Sequence, residues 1–408
     1  MLQLSQKAAL MPASPIRKLV PYADAAKAKG IHVFHLNIGQ PDIASPQTAL
    51  DAVRGNSLQL VEYSHSAGIL SFRKKLTEYY KRYDINVTTD EIIVTNGGSE
   101  GILFTFMACL NPGDEVLVTE PFYANYNGFA IYTGAVIKPI RAKIENGFAL
   151  PPIEEFEKHI TPKTKAILIC NPNNPTGYLY SQSELEILAH TVKKHDLFLL
   201  SDEVYREFCY DGMQYCSVMH LKDIEQNVVL LDSVSKRYSA CGCRVGVFIT
   251  KNRDLYGAVM KFAQARLSPP TYGQIFSEAA IDAPASYFDK VLEEYTLRRD
   301  TVVKAINEME GCFCPNPKGA FYAVARLPID NADKFCQWLL EEFSYEGATV
   351  MLAPAAGFYS SLSVDGSDNT AIAGVNEVRI SYVLNVDDLH ASMKCLEQAL
   401  KVYPGRVR

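Results

Sequence analysis

A lysine and an arginine stand eight positions apart in the stretch SVSKRYSACGCRVG, residues 233–246. Lys236 follows an apolar run, and a lysine near an arginine in a partly dry crevice can act as a nucleophilic amine. Arg244 lies between Gly242 and Gly246, which we expect to let the backbone bring its side chain back towards an anion. The stretch predicts a site for an anionic ligand, although an isolated lysine is more often a surface residue.

Polar or glycine-rich groups follow four apolar runs that we predict to be strands. The runs EIIVT, KAILIC, LFLLS and NVVLL precede NGGSEG, NPNNPTG, DEVY and DSVSK. Ligands bind at the carboxyl ends of strands in open parallel sheets, so we expect these groups to meet in one crevice. Gly97, Gly98 and Ser99 open a helix whose free N–H groups make an anion site, although a plain N-cap explains the same pattern. Ser233 and Arg244 add a hydroxyl and a guanidinium suited to a phosphate.

Three further side chains extend this set. Asp202 ends a predicted strand, and a buried carboxylate there needs a cationic partner. Tyr205 is placed to donate a hydrogen bond, and Asn174 lies in a turn that two prolines and a glycine make rigid, which is also compatible with a purely structural turn. An amine, a carboxylate, a phenol, an amide and a phosphate-binding loop together indicate a site for pyridoxal phosphate.

Composition limits the classes of function. The chain has 408 residues, 48% of them hydrophobic and 21% charged, which is typical of a soluble globular protein with two or three domains. The net charge of −6 argues against nucleic acid as a partner. No apolar run approaches the roughly 20 residues of a membrane helix, and Lys7 interrupts the apolar N-terminal stretch, so we predict neither a membrane span nor a signal peptide. The ten cysteines form no metal-ligand pattern and indicate reduced thiols in a cytoplasmic protein, with zinc as a minor alternative.

The order of the patterns predicts an α/β fold. Apolar runs alternate with helical patterns such as SELEILAHTVKKH (183–195), whose apolar positions are Leu185, Ile187, Leu188 and Val192. This alternation predicts a large domain with a mostly parallel sheet covered by helices on both faces.

After Pro284 the pattern changes to a long helical segment, two shorter strand patterns and a last amphipathic helix, which predicts a smaller α+β domain. The first residues contain no strand–helix repeat, and we expect them to join that smaller domain. We therefore predict an N-terminal segment, a large cofactor-binding domain and a small C-terminal domain over residues 1–45, 46–284 and 285–408.

With these residues in view, the chain resembles the fold-type I aminotransferases of class I/II, in the aspartate aminotransferase superfamily. The resemblance extends from about residue 12 to 400, and the combination of NNPTG with the lysine motif is its most specific part. It rests on the motifs LNIGQPD (36–42), YSHSAGILSFRKKL (63–76), TNGGSE (95–100), NPNNPTG (171–177), SDEVY (201–205), SVSKRYSACGCRVG (233–246), GAFY (319–322) and VRISY (378–382).

The resemblance implies pyridoxal phosphate as cofactor and a role for each matching residue. Lys236 would hold the cofactor covalently and then move the substrate's Cα proton, and Asp202 would bind the protonated pyridine nitrogen. Tyr205 and Asn174 would contact the ring's phenolic oxygen, and Tyr123 would stack on the ring. The phosphate would be surrounded by Gly98, Ser99, Glu100, Ser233 and Arg244, with Glu100 contributing its backbone N–H.

The resemblance also implies how substrates and subunits take part. The substrates would be an amino acid and a 2-oxo acid, and the α-carboxylate would bind Arg379, Gly39 and Asn174. Tyr63 would reach the phosphate in a neighbouring subunit, which implies a homodimer with shared sites. For Arg379, a surface ion pair is the alternative that the residues alone leave open.

A dicarboxylic substrate such as aspartate or glutamate needs a second cation. One bacterial branch of aspartate aminotransferases has a lysine where this chain has Met107. We assign the distal carboxylate to Arg266 instead, for which a surface or interface arginine is an equal alternative.

Two other classes of function fit part of the pattern. A carbon–sulfur lyase or a β-decarboxylase would use nearly the same residues around the same cofactor. A non-catalytic ligand-binding regulator on this fold would carry a DNA-binding domain before LNIGQPD, for which the preceding segment is too short. A binding module of another kind would not explain Lys236 and Asp202 together.

Overall fold

The fold is described from a computed structural model, which describes residues 2–360 and 373–407. Numbered in chain order, the strands are β1 (His32–His35), β2 (Ile92–Thr95), β3 (Glu115–Glu120), β4 (Val136–Arg141), β5 (Thr164–Cys170), β6 (Phe198–Asp202), β7 (Val228–Ser233), β8 (Gly246–Ile249), β9 (Tyr322–Arg326), β10 (Ala348–Met351), β11 (Ala353–Pro354) and β12 (Glu377–Ser381).

The helices alternate with these strands through most of the chain. They are α1 (Gln6–Leu10), α2 (Val20–Ala28), α3 (Gln47–Arg54), α4 (Leu70–Lys81), α5 (Gly97–Cys109), α6 (Asn125–Thr133), α7 (Ile153–His159), α8 (Gln182–His195), α9 (Val234–Arg237), α10 (Arg253–Arg266), α11 (Thr271–Ala280), α12 (Ala285–Glu308), α13 (Ala332–Glu341) and α14 (Val386–Val402). Within residues 2–360 and 373–407, none of them is long and apolar enough to cross a membrane.

A seven-stranded sheet forms the centre of the molecule, in the order β2-β8-β7-β6-β5-β3-β4. The pairs β7–β6, β6–β5, β5–β3 and β3–β4 are parallel, and β8 is antiparallel to both of its neighbours. Because β8 reverses direction between them, β2 and β7 run the same way. The mostly parallel α/β sheet that the sequence predicts is therefore confirmed.

The apolar strands are buried on both faces, as their composition predicts. In β5, Ala166 and Leu168 pack in a core that includes helices α5 and α10, whereas Ile167 and Ile169 pack in a core that includes α8. Successive side chains of a strand point to opposite faces, so both faces of this strand need apolar residues.

Helix α8 shows how local signals and burial combine. Ser181 caps its first turn in a reciprocal capping box with Glu184. The side chains of Leu185 and Leu188 are fully buried against the sheet. Ile187, which the pattern also assigned to the apolar face, is exposed instead because a helix of 3.6 residues per turn places it about 200° from Leu185, outside the buried stripe.

The two ends of the chain pack together. Strand β1 pairs in parallel with β10, and β11, β12 and β9 form an antiparallel sheet. Leu19 and Val33 share one apolar core with Phe335 and Leu396. These contacts support the predicted association of residues 1–45 with the C-terminal part, while the domain boundaries stay a prediction.

The two glycines that flank Arg244 differ in what surrounds them. A methyl group on Gly246 would lie 2.3 Å from the carbonyl carbon of Gly97, where β8 passes under the start of α5, whereas one on Gly242 would have no atom within 4 Å. Arg244 itself adopts a left-handed backbone, with φ 52°. The close approach therefore explains Gly246, whereas no atom in the described part of the chain lies close enough to Gly242 to require a glycine there.

We predict that Gly246→Ala destabilises the fold by about 1–3 kcal/mol, because the added methyl overlaps backbone that cannot move without displacing α5. Gly242→Ala is the matched control and should change the free energy of unfolding by less than about 0.5 kcal/mol. Denaturation in urea measures both. Equal effects of the two substitutions would contradict the explanation that only Gly246 is required by a close backbone contact.

Candidate functional site

The predicted site residues lie at the carboxyl ends of neighbouring parallel strands. Strands β2, β7, β6 and β5 run in one direction, so their carboxyl ends share one edge of the sheet. Helix α5 begins at Gly97 just after β2, β6 ends at Asp202, and β7 ends at Ser233. The turn NPNNPTG follows β5. The topology thus brings the four predicted loops to one edge.

Asp202 is a buried carboxylate whose described neighbours include no cationic partner. Its Oδ2 accepts a hydrogen bond from the hydroxyl of Tyr126 at 2.9 Å. Burial raises the pKa of Asp202 to about 6, against the opposing hydrogen bonds from Tyr126 and the backbone of Val204. Within residues 2–360 and 373–407, no lysine, arginine or histidine forms an ion pair with it. The carboxylate is therefore held in place and still lacks a counter-charge.

Arg379 is the opposite case, a buried cation that has no acidic partner among the described residues. Only 1% of the residue is exposed. Its guanidinium donates to Asn174 Oδ1 at 3.2 Å and to the backbone oxygen of Asn37, and it lies 4.6 Å from the ring centre of Tyr322 and 4.7 Å from that of Phe358.

No carboxylate pairs with Arg379 in the described part of the chain, and its Nε has no acceptor there. Burial lowers the pKa of Arg379, which expresses the cost of holding this charge away from water. An incoming carboxylate would relieve that cost.

Asn174 links Arg379 to a pair of phenols. Its Nδ2 donates to the hydroxyl of Tyr205 at 3.3 Å, and the hydroxyls of Tyr205 and Tyr322 are 3.0 Å apart. Burial raises the pKa of Tyr205 well above its usual range, so this phenol stays neutral. The predicted association of Asn174, Tyr205 and Arg379 is thus present as one hydrogen-bonded chain.

Lys236 lies at the third position of the short helix α9 and is half-buried. Its Nζ donates to the backbone oxygen of Gly39 at 2.8 Å and lies 5.9 Å from the ring centre of Phe321. A methyl group on Gly39 would lie 1.8 Å from the hydroxyl oxygen of Tyr322, so only glycine allows this approach. Gly39 and Lys236, which were predicted for different parts of the site, are in direct contact.

The predicted phosphate-binding residues gather around the start of α5. Gly97 takes a positive φ of 73°, and a methyl group there would lie 2.3 Å from Nη2 of Arg244. The guanidinium of Arg244 also donates to the oxygen of Cys241 at 3.0 Å. Gly98, Ser99 and Glu100 form the first turn of α5, where backbone N–H groups are free of helical partners.

Ser233 and Glu100 already have partners within the chain. The hydroxyl of Ser233 donates to the oxygen of Val245 at 2.8 Å and caps helix α9. The carboxylate of Glu100 accepts from the N–H of Asn96 at 2.8 Å, which leaves its own backbone N–H as the group that could face an anion.

Tyr123 lies beside the Asp202 side of the site. Its ring meets the ring of Tyr126 edge to face at 5.4 Å, and its hydroxyl accepts from Asn125 at 2.7 Å. Burial raises the pKa of Tyr123 to about 12, so this ring is also neutral.

Arg266 contacts the predicted phosphate loop, whereas Tyr63 is exposed. The guanidinium of Arg266 donates to the backbone oxygens of Ser66 and Val94 and pairs with Glu100 at 3.5 Å. It thus has acceptors in its own chain, and its role as a distal-carboxylate binder stays a prediction. Tyr63 is 78% exposed in the single chain, and its predicted reach into a neighbouring subunit also stays a prediction.

Two contributors were missed by sequence reasoning. Tyr126, which bonds to Asp202, follows Tyr123 by three residues, and no motif marks it. Tyr322 lies inside the quoted motif GAFY, yet its contacts with Tyr205, Gly39 and Arg379 depend on the pairing of β9 with β12. Only the folded chain reveals them.

Comparison with known proteins agrees with the predicted resemblance. The family model of class I and II aminotransferases matches residues 31–346. An aspartate aminotransferase from Thermotoga maritima is 32% identical over 94% of this chain and 99% of its own length. Aromatic-amino-acid aminotransferase 2 from Thermococcus litoralis is 30% identical over 98% of each chain. A solved alanine aminotransferase from Pyrococcus furiosus has a TM-score of 0.88 at 29% identity, over 98% of this chain and 100% of that one.

The matches to these relatives run through almost the whole chain, and the family model covers the seven-stranded sheet and the loops at its edge. The chain is therefore an aminotransferase and belongs to the class I and II family, whose members generally depend on pyridoxal phosphate.

Proposed function

We propose that the crevice binds pyridoxal phosphate and that the enzyme moves an amino group between an amino acid and a 2-oxo acid. The observation that carries this proposal is a pair of buried charges, Asp202 and Arg379, that have no counter-ion within residues 2–360 and 373–407. A buried charge is costly unless it is paired. Asp202 therefore favours a protonated ring nitrogen, and Arg379 favours a carboxylate. The cofactor supplies the first group and the α-carboxylate of the substrate supplies the second.

The remaining site residues suit the other parts of the cofactor. The first turn of α5 offers backbone N–H groups to a phosphate, and Arg244 lies against that turn. Asn174 and Tyr205 would contact the phenolic oxygen of the ring, and Tyr123 would cover one ring face. We propose that the phosphate is bound by Gly98, Ser99, Glu100, Ser233 and Arg244.

When bound, pyridoxal phosphate supplies an electron sink for the charge that develops at the substrate's Cα. Lys236 would hold the cofactor covalently through Nζ and, once released by the substrate, would take the Cα proton as general base. The oxygen of Gly39 gives this amine a fixed acceptor. Arg379, with Asn174 and Gly39, would bind the α-carboxylate and so orient the Cα–H bond.

Our proposals for subunit assembly, domain bounds and cellular location follow from the family and from the cysteines. Dimers are typical of this family, and we propose a homodimer in which the exposed Tyr63 reaches the phosphate in the neighbouring subunit. We also propose that residues 46–284 form the large domain and that residues 1–45 and 285–408 form the small one. The ten free thiols suit a reducing compartment, and we place the protein in the cytoplasm.

We propose aspartate or glutamate as one substrate, with Arg266 as the distal-carboxylate binder. Nη1 of Arg266 is buried and has no acceptor in the described part of the chain, so this nitrogen is the donor that would face the distal carboxylate. Arg266→Ala would then raise KM for aspartate far more than KM for alanine, and equal changes would argue for a structural role.

The proposed function is tested by giving the holoenzyme one amino acid and no 2-oxo acid. One equivalent of 2-oxo acid per site should form and the reaction should then stop, because each site accepts a single amino group. Absorbance of the bound cofactor follows the conversion, and adding a 2-oxo acid should restart it.

Lys236→Ala should lower the rate by at least about 100-fold, since it removes the general base, while exposed Lys222→Ala is the control. Continued turnover on one amino acid would instead support a carbon–sulfur lyase or β-decarboxylase.

Asp202 predicts a pH dependence of cofactor binding. Its pKa is raised to about 6, so the carboxyl takes up a proton as the pH falls through about 6 and then cannot pair with a protonated ring nitrogen. Affinity for pyridoxal phosphate should fall by up to about tenfold per pH unit below that point.

The phosphate of the cofactor titrates in the same range, so Asp202→Asn serves as the reference. Equilibrium dialysis of both proteins between about pH 5 and about pH 8 isolates the contribution of Asp202. Parallel curves would show that Asp202 does not pair with the ring.

Arg379→Ala should lower kcat/KM for the amino acid by about 100-fold or more, because the α-carboxylate loses a buried, charge-assisted partner. The cofactor content per chain should stay unchanged. Arg326→Ala is the matched control, since Arg326 lies on the paired strand β9 and bonds to exposed Glu145. Steady-state kinetics with one amino donor measures kcat/KM for both variants. Similar losses in the two would contradict the assignment of Arg379 to the α-carboxylate.

A further inference from the structure

Five buried charged side chains lie behind the proposed site, and the proposed reaction uses none of them. Each is at most 5% exposed, and they are packed against Tyr79, Tyr80, Tyr83 and Tyr215. We call this group the Asp232 cluster, and its charged members are Glu203, Arg206, Glu207, Asp232 and Arg237.

Asp232 is the centre of the cluster. Its Oδ2 accepts from Arg206 at 3.0 Å, from Arg237 at 2.6 Å and from the hydroxyl of Tyr80 at 2.6 Å. Its Oδ1 accepts from the backbone N–H of Ser233 at 2.7 Å. Burial alone would raise the pKa of Asp232, but the two arginines outweigh it and lower the pKa to about 2.

The bond from Arg237 to Asp232 joins the two ends of the short segment 232–237, which contains Lys236. Helix α9 has only four residues, too few to be stable without other contacts. Arg237 is its last residue, and its Nη2 also donates to the backbone oxygen of Ser233 at 3.3 Å. The pair therefore ties the end of α9 to the end of β7, and Lys236 lies between the two tied points.

The same carboxylate reaches the strand that carries Asp202. Arg206 follows Tyr205 directly, and besides Asp232 it binds Glu203, the residue after Asp202, at 3.3 Å. Asp232 thus contacts both the segment that follows Asp202 and the segment that carries Lys236. Without that shared contact, the two segments would be joined by the β6–β7 ladder and no longer by a side chain near Lys236.

We propose that Arg237 is a positioning residue that aims Lys236 at the cofactor through Asp232. This inference rests on the proposed function, because it assigns to the cluster the orientation of the amine that holds the cofactor. The planar guanidinium binds Asp232 and the backbone of Ser233 with one nitrogen and contacts Tyr79 and Glu207 with the other. A lysine at this position keeps the charge but cannot make both sets of bonds in a fixed direction.

The test compares wild-type holoenzyme with Arg237→Lys and with Tyr215→Phe. Total pyridoxal phosphate per chain is measured after denaturation, and the fraction linked to Lys236 is measured by borohydride reduction and mass spectrometry of its peptide. Arg237→Lys should keep total cofactor within about twofold while the linked fraction falls several-fold. Its kcat should fall by about 10- to 100-fold with KM for the amino acid within about twofold, because misplaced reacting groups slow the chemical steps.

Tyr215→Phe is the matched control, since it removes a buried hydroxyl that bonds to Glu203 and does not touch the segment around Lys236. Its linked fraction and kcat should equal those of the wild type, whatever the loss in Tm. If Arg237→Lys does not fold, Tyr80→Phe takes its place because it removes one donor to Asp232. It should also lower the linked fraction and kcat, by a smaller factor, while total cofactor and KM stay nearly unchanged.

An unchanged linked fraction and kcat in a folded Arg237→Lys, or in Tyr80→Phe when it stands in, would overturn the proposal. A parallel loss of total and linked cofactor would also overturn it, because that result indicates general destabilisation. A wild-type protein that binds no pyridoxal phosphate would refute the proposed function itself, which is a distinct outcome.

Discussion

The site depends on the cost of keeping an ionised group away from water without a counter-ion. Two carboxylates at neighbouring strand ends show this constraint in opposite ways. Asp232 is surrounded by Arg206 and Arg237 and has a pKa of about 2, whereas Asp202 has only neutral donors and a pKa of about 6. The difference lies in the partners, because both carboxyls are buried. The fold therefore satisfies one charge internally and leaves the other for a ligand.

The arginines repeat the same division. Burial alone would lower the pKa of Arg206 and Arg237, but the neighbouring phenols and carboxylates outweigh it and raise both pKa values. Burial lowers the pKa of Arg379, which stacks between Tyr322 and Phe358. Those two rings exclude water from the guanidinium and offer it no formal charge. In such a site, the free-energy cost of removing water from Asp202 and Arg379 is met when the protein folds. A ligand that supplies the missing charges therefore binds well, and the same contacts orient it.

Much of this arrangement could be predicted from local sequence. Strand ends and turns are local features, so the positions of Asp202, Asn174 and the start of α5 followed from apolar runs, prolines and glycines. The family resemblance extended that prediction to Arg379, whose strand is distant in sequence but adjacent to the site in the fold.

Other features depend on side-chain direction, which the sequence pattern does not define. Arg237 follows Lys236 directly, yet its side chain enters the interior while the lysine faces the crevice. Arg266 donates to the backbone oxygens of Ser66, in a loop, and Val94, in strand β2, and both lie far from it in the chain. The two glycines around Arg244 look alike in sequence, and only the approach of Gly97 distinguishes them.

A crystal structure of the holoenzyme with an unreactive carboxylate analogue of an amino acid would test the central claim most directly. The two uncompensated charges predict that Asp202 lies within hydrogen-bonding distance of the ring nitrogen and that the ligand's carboxylate forms a bidentate pair with Arg379. A structure in which Arg379 is paired with a carboxylate of the protein, or in which Asp202 faces away from the ring, would contradict that claim.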